Sequence, residues 1–562
     1  MSATRSFPFA VTALIALACG AVAQAGSPRV TLDLEPQRST ARAAPLQGRL
    51  ELEWGDAAPG SQVPHVFKVA VVDDAGRRHE LDPDQALRAA GDLYALYQRR
   101  VAVSLVPQAQ SKTVTVTVTA TGLPAAEAIV PVDDLAPVAP QGGRPLPKAG
   151  EITSKVAGVT VWATLMCKFS DIATEQKTLS FFQGQYGTAI GQLDHYWREV
   201  SYNQINLTGS AAYGWYTLPQ PRSYYVTKDA DNKDKADLTK LFQDCIAAAD
   251  ADVNFAANGG LQGVNMMFNG DLDGYAWGGS RCATLDGINK CWSTTWNPPW
   301  SFNNLAPLSH EMGHAYGLPH ANNSDGDTDP YDNPWDVMSD GWSNAVKHAT
   351  YGSLPKHINI YSRNRLGWVA AARKATFQSG EAMRTLTIDR ASLAGSGNVQ
   401  MLTLSYPDSS TRYYTVEVRM KTGNYEAALA GNAVIIHEVQ TSRKEPSWSV
   451  DASDPPANRA NNEGSMFKVG ERWISPDGLF RVTVLQATTN GFVVELRGVP
   501  PTGGPGRMVR TSGSASVPAP VAASASAAPA AAGSAAGAAW PAVESSGADD
   551  RRGGFANPGR RR

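Results

Sequence analysis

Three of the chain's nine histidines fall within eleven residues, His310-Glu311-Met312-Gly313-His314-Ala315-Tyr316-Gly317-Leu318-Pro319-His320. On a helix, His310 and His314 stand one turn apart on one face, and two imidazoles so placed can share one Zn²⁺. Gly317 can take the left-handed conformation that ends a helix at no steric cost. Pro319 opposes continuation of the helix, so the chain can turn back and bring His320 to the same metal. Three protein ligands leave one coordination position for water, and zinc lowers the pKa of such a water toward about 7. Glu311 lies beside the histidines without being needed as a ligand. It is placed to accept the water's proton and pass it to a leaving amine. The chemistry expected of this stretch is zinc-dependent hydrolysis of a peptide bond.

A helix must hold that stretch. Pro307 suits its first turn, and Asn303 or Asn304 is available near its start. Upstream, 156–166 is strongly apolar and reads as a buried strand. The spacing of Leu179, Phe182, Tyr186, Ile190, Leu193 and Trp197 predicts a helix over 176–200, against the cost of Gly184, Gly187 and Gly191. A second helix is predicted over 235–251 and a short apolar strand over 263–268. Strands mixed with helices predict an α/β layer arrangement for 155–370.

On either side the texture is β. Residues 30–34, 50–54 and 112–119 alternate with period two, with a helix predicted over 79–98, so 26–123 reads as a β-rich N-terminal domain and a candidate pro-domain. Residues 124–154 have the Pro-rich composition of a linker. Five alternating runs between 384 and 496 predict a β-sandwich over 371–499. The Ala, Ser, Pro and Gly of 500–562 predict disorder, because such a segment cannot bury enough apolar surface to offset its ordering entropy.

Arg5, the apolar run 10–22 and Ala23-Gln24-Ala25 have the three-part form of an export signal over 1–25, with Gly26 as the new N-terminus. No other run approaches the ~20 apolar residues of a membrane span. Once Cys19 has left with the signal, Cys167, Cys245, Cys282 and Cys291 remain. An even count in an exported chain predicts two disulfides. Three connectivities are open; the short separation of Cys282 and Cys291 favours that pair, leaving Cys167 with Cys245. A formal net charge of −2 argues against nucleic-acid binding. Asp325, Asp327, Asp329 and Asp332 crowd the loop after His320, as carboxylates around a Ca²⁺ do, although a full EF-hand pattern is absent. An ordinary polar loop is the competing reading.

The eleven residues have the pattern H-E-x-x-H-x-x-G-x-x-H and resemble the metzincin peptidases. Trp335-Asp336-Val337-Met338-Ser339 resembles their Met-turn, which implies that Met338 lies beneath the metal. His195-Tyr196-Trp197-Arg198-Glu199-Val200-Ser201, Trp215-Tyr216-Thr217-Leu218-Pro219 and Arg365-Leu366-Gly367-Trp368 resemble secreted peptidases of the gametolysin and immune inhibitor A groups. The resemblance covers roughly 155–370 and extends more loosely to 498. It implies a catalytic domain with a twisted mixed sheet and an active-site helix, flanked by N-terminal and C-terminal β-sandwich-like domains. It also implies that Trp277-Gly278-Gly279 and the Cys282–Cys291 loop form the rim that aligns substrate.

With histidine at 320, where immune inhibitor A-like enzymes carry Asp, the ligand set is closer to gametolysin. The position two residues after Met338 is Asp340, so a tyrosine ligand from that turn is not implied. Tyr351 and Tyr361 are the remaining oxyanion candidates. No mature cysteine precedes Cys167, so a cysteine switch is not implied for 26–150.

The expectation is a secreted, monomeric zinc endopeptidase, extracellular or periplasmic. It would act on protein or peptide substrates, without nucleic acid or a membrane span. The alternative is a secreted adhesin with a structural or vestigial zinc site.

Overall fold

A computed structural model describes residues 44–59, 61, 64–106, 122–132, 155–325, 329–453 and 463–498. The signal-like segment 1–25, the alternating runs 30–34 and 112–119, Asp327 and the tail 500–562 lie outside the described residues.

Ten strands form one sheet. From the N-terminal side come β1 (Leu46–Ala57), β2 (Val66–Val72), β3 (Arg78–Leu81), β4 (Arg100–Leu105) and β5 (Ala126–Pro131). From the region of the histidine motif come β6 (Trp162–Lys168), β7 (Ala211–Thr217), β8 (Gly263–Phe268), β9 (Tyr275–Leu285) and β10 (Ile288–Asn297). The order is β3-β2-β1-β9-β10-β8-β6-β7, with β4 pairing β1 and β5. Strands β10, β8, β6 and β7 are parallel neighbours, and β9 runs antiparallel to β10. The sheet is therefore mixed, as expected.

Alternate residues of the parallel strands serve opposite cores. Trp162 and Met166 of β6 face a core shared with Leu193, Tyr196, Trp197 and Val200. Ala163, Leu165 and Cys167 face the other, against Leu238, Leu241, Phe242 and Ile246. This is the period-two alternation of a sheet covered by helices on both faces. The helices that matter below are, in chain order, α1 (Pro83–Ala90), α2 (Leu179–Gln185), α3 (Leu193–Val200), α4 (Leu238–Ala249) and α5 (Leu305–Ala315). The disulfide Cys167–Cys245 ties β6 to α4, and Cys282–Cys291 joins residues opposite each other in the β9–β10 hairpin.

Three expectations differ from the structure. The helix expected over 176–200 is two helices, α2 and α3, separated at Gly187 and Gly191. Gly191 has φ +86, and a Cβ on Gly187 would meet the Gln192 side chain at 2.1 Å, so the apolar spacing carries across a break that the glycines make. The helix expected over 79–98 is strand β3 followed by α1, which Asp82 caps through the Gln85 amide and Pro83 opens. The N-terminal strands do not form a separate sandwich; they extend the sheet of the histidine-bearing region, and β5 lies within the stretch whose composition reads as a linker.

The reason lies in β1. Leu50, Leu52 and Trp54 face a small core with Phe67, Tyr94 and Leu96. The alternating residues Glu51 and Glu53 are buried, where Arg78 and Arg281 meet them. One edge of β1 pairs with β2, and the other pairs with β4 over 46–49 and then with β9 over 53–57. A strand satisfied on both faces and both edges becomes an interior strand of the large sheet.

Residues 371–498 form two sheets packed on one core containing Phe377, Val416, Ile436, Phe480 and Val494. The six-stranded sheet takes in Ala321–Asn323, the strand that immediately follows His320, in parallel pairing with Ser447–Ser449. The third histidine is thereby anchored to the C-terminal β region. No helix among the described residues is long and apolar enough to cross a membrane.

Candidate metal centre

Helix α5 begins beside Asn304, whose side chain accepts from the Ser353 amide rather than capping its own helix. It ends in the turn that Gly317 makes possible. Gly317 has φ +91, its amide donates to the His314 carbonyl (2.8 Å), and the Leu318 amide reaches back to the Gly313 carbonyl (3.0 Å). The chain reverses there, and His320 comes under the helix.

The three imidazoles converge. His314 Nε2 lies 3.0 Å from His310 Nε2 and 3.1 Å from His320 Nε2. Ligand atoms about 2.0–2.1 Å from a tetrahedral zinc stand roughly 3.3 Å apart, so this is the spacing of a shared metal. His310 Nδ1 faces the Val337 carbonyl at 2.6 Å, and His314 Nδ1 faces the Leu318 carbonyl at 2.7 Å. Carbonyls accept only, so each Nδ1 carries the proton and each Nε2 presents a lone pair. Burial lowers the pKa of His314 and His320; at His310 burial lowers it too, but the Asp56 charge outweighs that and raises it. Three imidazole Nε2 atoms converging at this distance are a donor set that fits zinc.

Met338 lies against the helix from below. A Cβ added to Gly313 would come 2.3 Å from its sulfur. The turn that carries it is built by Asp336, which accepts from the Met338 and Asn359 amides at 2.8 and 3.0 Å. Strand β9 crosses the helix equally closely. A Cβ on Gly278 would meet the Glu311 carbonyl oxygen at 2.5 Å and Glu311 Oε2 at 2.9 Å. Glu311 is 1% exposed, and its Oε2 has no hydrogen-bond partner. Burial, with the neighbouring Asp56 charge adding to it, pushes the Glu311 carboxyl well above the ordinary carboxylate range. A cleft beside His310 and Glu311 is walled by Trp300, Pro307, Tyr331 and Trp342.

Two residues in the site carry no signal in the motif. Asp56, at the end of β1, places Oδ1 2.6 Å from His320 Nε2 and Oδ2 3.1 and 3.4 Å from the Nε2 atoms of His314 and His310. Asp56 and the three histidines are the group of metal-ligating side chains that converges among the described residues. Tyr331 donates its hydroxyl to Asp56 Oδ1 at 2.6 Å. Neither could be found by local spacing, since Asp56 is 254 positions from His310 and Tyr331 has no patterned neighbours.

Other candidates lie elsewhere. Tyr351 stacks on His348, and Tyr361 packs with Tyr413 and Val439. His357 pairs with Glu199. Trp292 and Trp296 are core residues. In the acidic loop, Asp329 accepts from the Tyr331 amide and Asp332 from the Asn323 amide, the contacts of a polar loop that caps its own backbone.

Among known proteins, the model of the gametolysin peptidase M11 family matches residues 157–452. The chain belongs to that family. It is a metalloendopeptidase, and the buried histidine cluster is its metal site. The match runs past 370 as far as the strand Ser447–Ser449, the partner of the strand that follows His320. A comparison with curated proteins returns no match.

Proposed function

We propose that this M11 peptidase is an exported endopeptidase in which His310, His314 and His320 hold the zinc and Glu311 is the general base. The observation that supports this reading most directly is the convergence of three imidazole Nε2 atoms beside a buried, unpartnered Glu311 oxygen. When bound there, zinc supplies Lewis-acid polarisation of the scissile carbonyl and acidifies an attacking water. Glu311, with its Oε2 left without a partner, would accept the water's proton and pass it to the leaving amine. Tyr331, whose hydroxyl points at the oxygen standing over the three imidazoles, donates to the oxyanion that forms there.

Met338, packed against the helix at Gly313, would support the imidazoles from beneath. Strand β9 aligns substrate main chain by β-pairing, with Gly278 keeping the approach to Glu311 open. Residues 371–499 are read as a C-terminal β-sandwich domain that anchors the strand after His320. Substrates are proteins or peptides outside the cytoplasm, in keeping with two disulfides and the signal-like N-terminus.

The test is Glu311→Ala. The variant should fold, bind one equivalent of zinc, and, measured against active wild-type enzyme, lose casein and quenched-peptide cleavage by at least about 10²-fold. Retained cleavage would sink the assignment.

A further inference from the structure

Strand β1 occupies the place where an extended substrate would lie. It pairs antiparallel with β9 in the register Glu53 to Gly279, Trp54 to Gly278, Gly55 to Trp277, Asp56 to Ala276 and Ala57 to Tyr275. This is the backbone pairing that peptides use when they add to a sheet edge. Residues 57–59 then continue into the cleft beside Pro307 and Trp300. At the metal centre the strand presents Asp56 rather than a peptide carbonyl.

Asp56 is 4% exposed. Its Oδ2 has no hydrogen-bond donor, its Oδ1 takes the Tyr331 hydroxyl, and both oxygens lie within 3.4 Å of an imidazole Nε2. The carboxylate and the three imidazoles converge as one metal-ligating group. A metal held by the histidines would have this carboxylate within reach, where a reacting water would otherwise bind.

The strand is held there by contacts that catalysis does not need. Trp54 stacks face to face on His314, with ring centroids 4.7 Å apart and planes 7° apart. Tyr97 donates to the Ala315 carbonyl at 3.1 Å. Asp92 makes a two-pronged pair with Arg365 at 3.0 and 3.1 Å. Close strand packing leaves no room at two glycines. A Cβ on Gly55 would meet the Trp277 ring at 2.8 Å, and one on Gly279 would meet the Leu52 carbonyl at 2.2 Å.

We propose that Asp56 is a fourth, removable metal ligand and that β1 is a built-in occupant of the substrate groove, so that the described chain is the latent form of the peptidase. This rests on the zinc-peptidase reading above. It assigns to a carboxylate the blocking role that no cysteine of this chain's N-terminal region is available to fill. Activity requires β1 to leave β9.

The full-length chain tests this in a Glu311→Ala background, which prevents self-cleavage, and in the Glu311-intact background. Cobalt-substituted protein gives a readout independent of turnover. Asp56→Ala should change the visible absorption envelope while one equivalent of cobalt stays bound. Gly55→Val, which keeps the carboxylate but cannot seat β1, should give the same change. With Glu311 intact, both variants should cleave a quenched peptide at least tenfold faster than the parent chain. The isosteric Asp56→Asn keeps the shape of the site and should follow Asp56→Ala if the larger change unfolds the strand.

Superimposable cobalt spectra with unchanged turnover would overturn the proposal. So would loss of both metal and activity in Asp56→Asn, which would make Asp56 a permanent ligand. Failure of the parent chain to bind a metal equivalent, or cleavage surviving in Glu311→Ala, would instead overturn the underlying zinc reading.

Discussion

At the scale of single residues, the site depends on two kinds of contact, those that aim a ligand and those that leave room. Gly313 is of the second kind. Met338 is fully buried with its sulfur 2.3 Å from where a Gly313 Cβ would be, so it cannot swing aside. Gly313→Ala should cost about 1–3 kcal/mol through overpacking and shift the imidazole spacing. A lower melting temperature together with faster zinc loss to a chelator checks this. Tyr331→Phe is the complementary change, since it removes one hydroxyl and little volume. It should lower kcat of the activated enzyme by about 10–100-fold with little change in KM. Equal loss in both constants would exclude an oxyanion role.

The converging histidines were legible because helix geometry translates spacing into position: His310 and His314 stand one turn apart on one face with Glu311 beside them, and Gly317 announces the reversal that brings His320 to them. Asp56 was not legible. A strand's alternation tells that Trp54 and Asp56 share a face, but nothing local tells which distant surface that face meets.

At the scale of elements, α3 shows how the histidine-bearing region and the C-terminal β region are joined. Glu199 at its end pairs with His357 at 3.1 Å and accepts from Asn424 at 2.7 Å. Burial raises its pKa, but the hydrogen bond and charge of His357, with Asn424, outweigh that and bring it down to about 2. The unfolded chain binds this proton near 4.5, so the stabilisation is fully present above that pH and is lost as pH falls from 4.5 toward 2. After allowance for solvent screening it amounts to about 1–2 kcal/mol. Melting curves should show wild type and Glu199→Gln furthest apart near pH 6, closing below pH 4.5 and converging only as pH approaches 2; a constant gap would rule out this linkage.

The disulfide between β6 and α4 acts at the same scale. It closes a loop across a sequence separation of 78. Replacing Cys167 and Cys245 together by Ala should cost about 2–5 kcal/mol, seen as a lower denaturation midpoint in urea. Elements with an uninterrupted pattern could be read from sequence: β8 to the residue, and α4 to within three residues at its start and two at its end. The 176–200 stretch could not, because apolar spacing reports which residues face the core and is blind to a glycine that breaks the backbone between them.

At the scale of the whole molecule, the alternating runs of the C-terminal region announced strands, which lie in two sheets on one core, whereas the fate of the N-terminal strands was not visible. Their alternation is equally compatible with a separate sandwich and with a place in a larger sheet; the outcome was decided by the unpaired edge of β9 and by Arg281 meeting Glu51 and Glu53. Because His320 is followed directly by a strand of the C-terminal sheet, metal binding ties three regions together. Chelation should therefore lower the melting temperature of the whole chain as well as abolish peptidase activity, and added zinc should restore both. Lost activity with an unchanged melting curve would show the metal to be energetically isolated.

The two-sided pairing of β9 has a consequence for how the protein stays in solution while it folds. With β1 in place, β9 is an interior strand. With β1 withdrawn, its backbone N–H and C=O groups from Tyr275 to Gly279 form an open edge, receptive to any extended chain, including another copy's β9. The N-terminal strands thus act as an intramolecular chaperone for that edge. A chain expressed from residue 155 onward should aggregate during refolding, and adding the N-terminal region before the denaturant is diluted should suppress the turbidity.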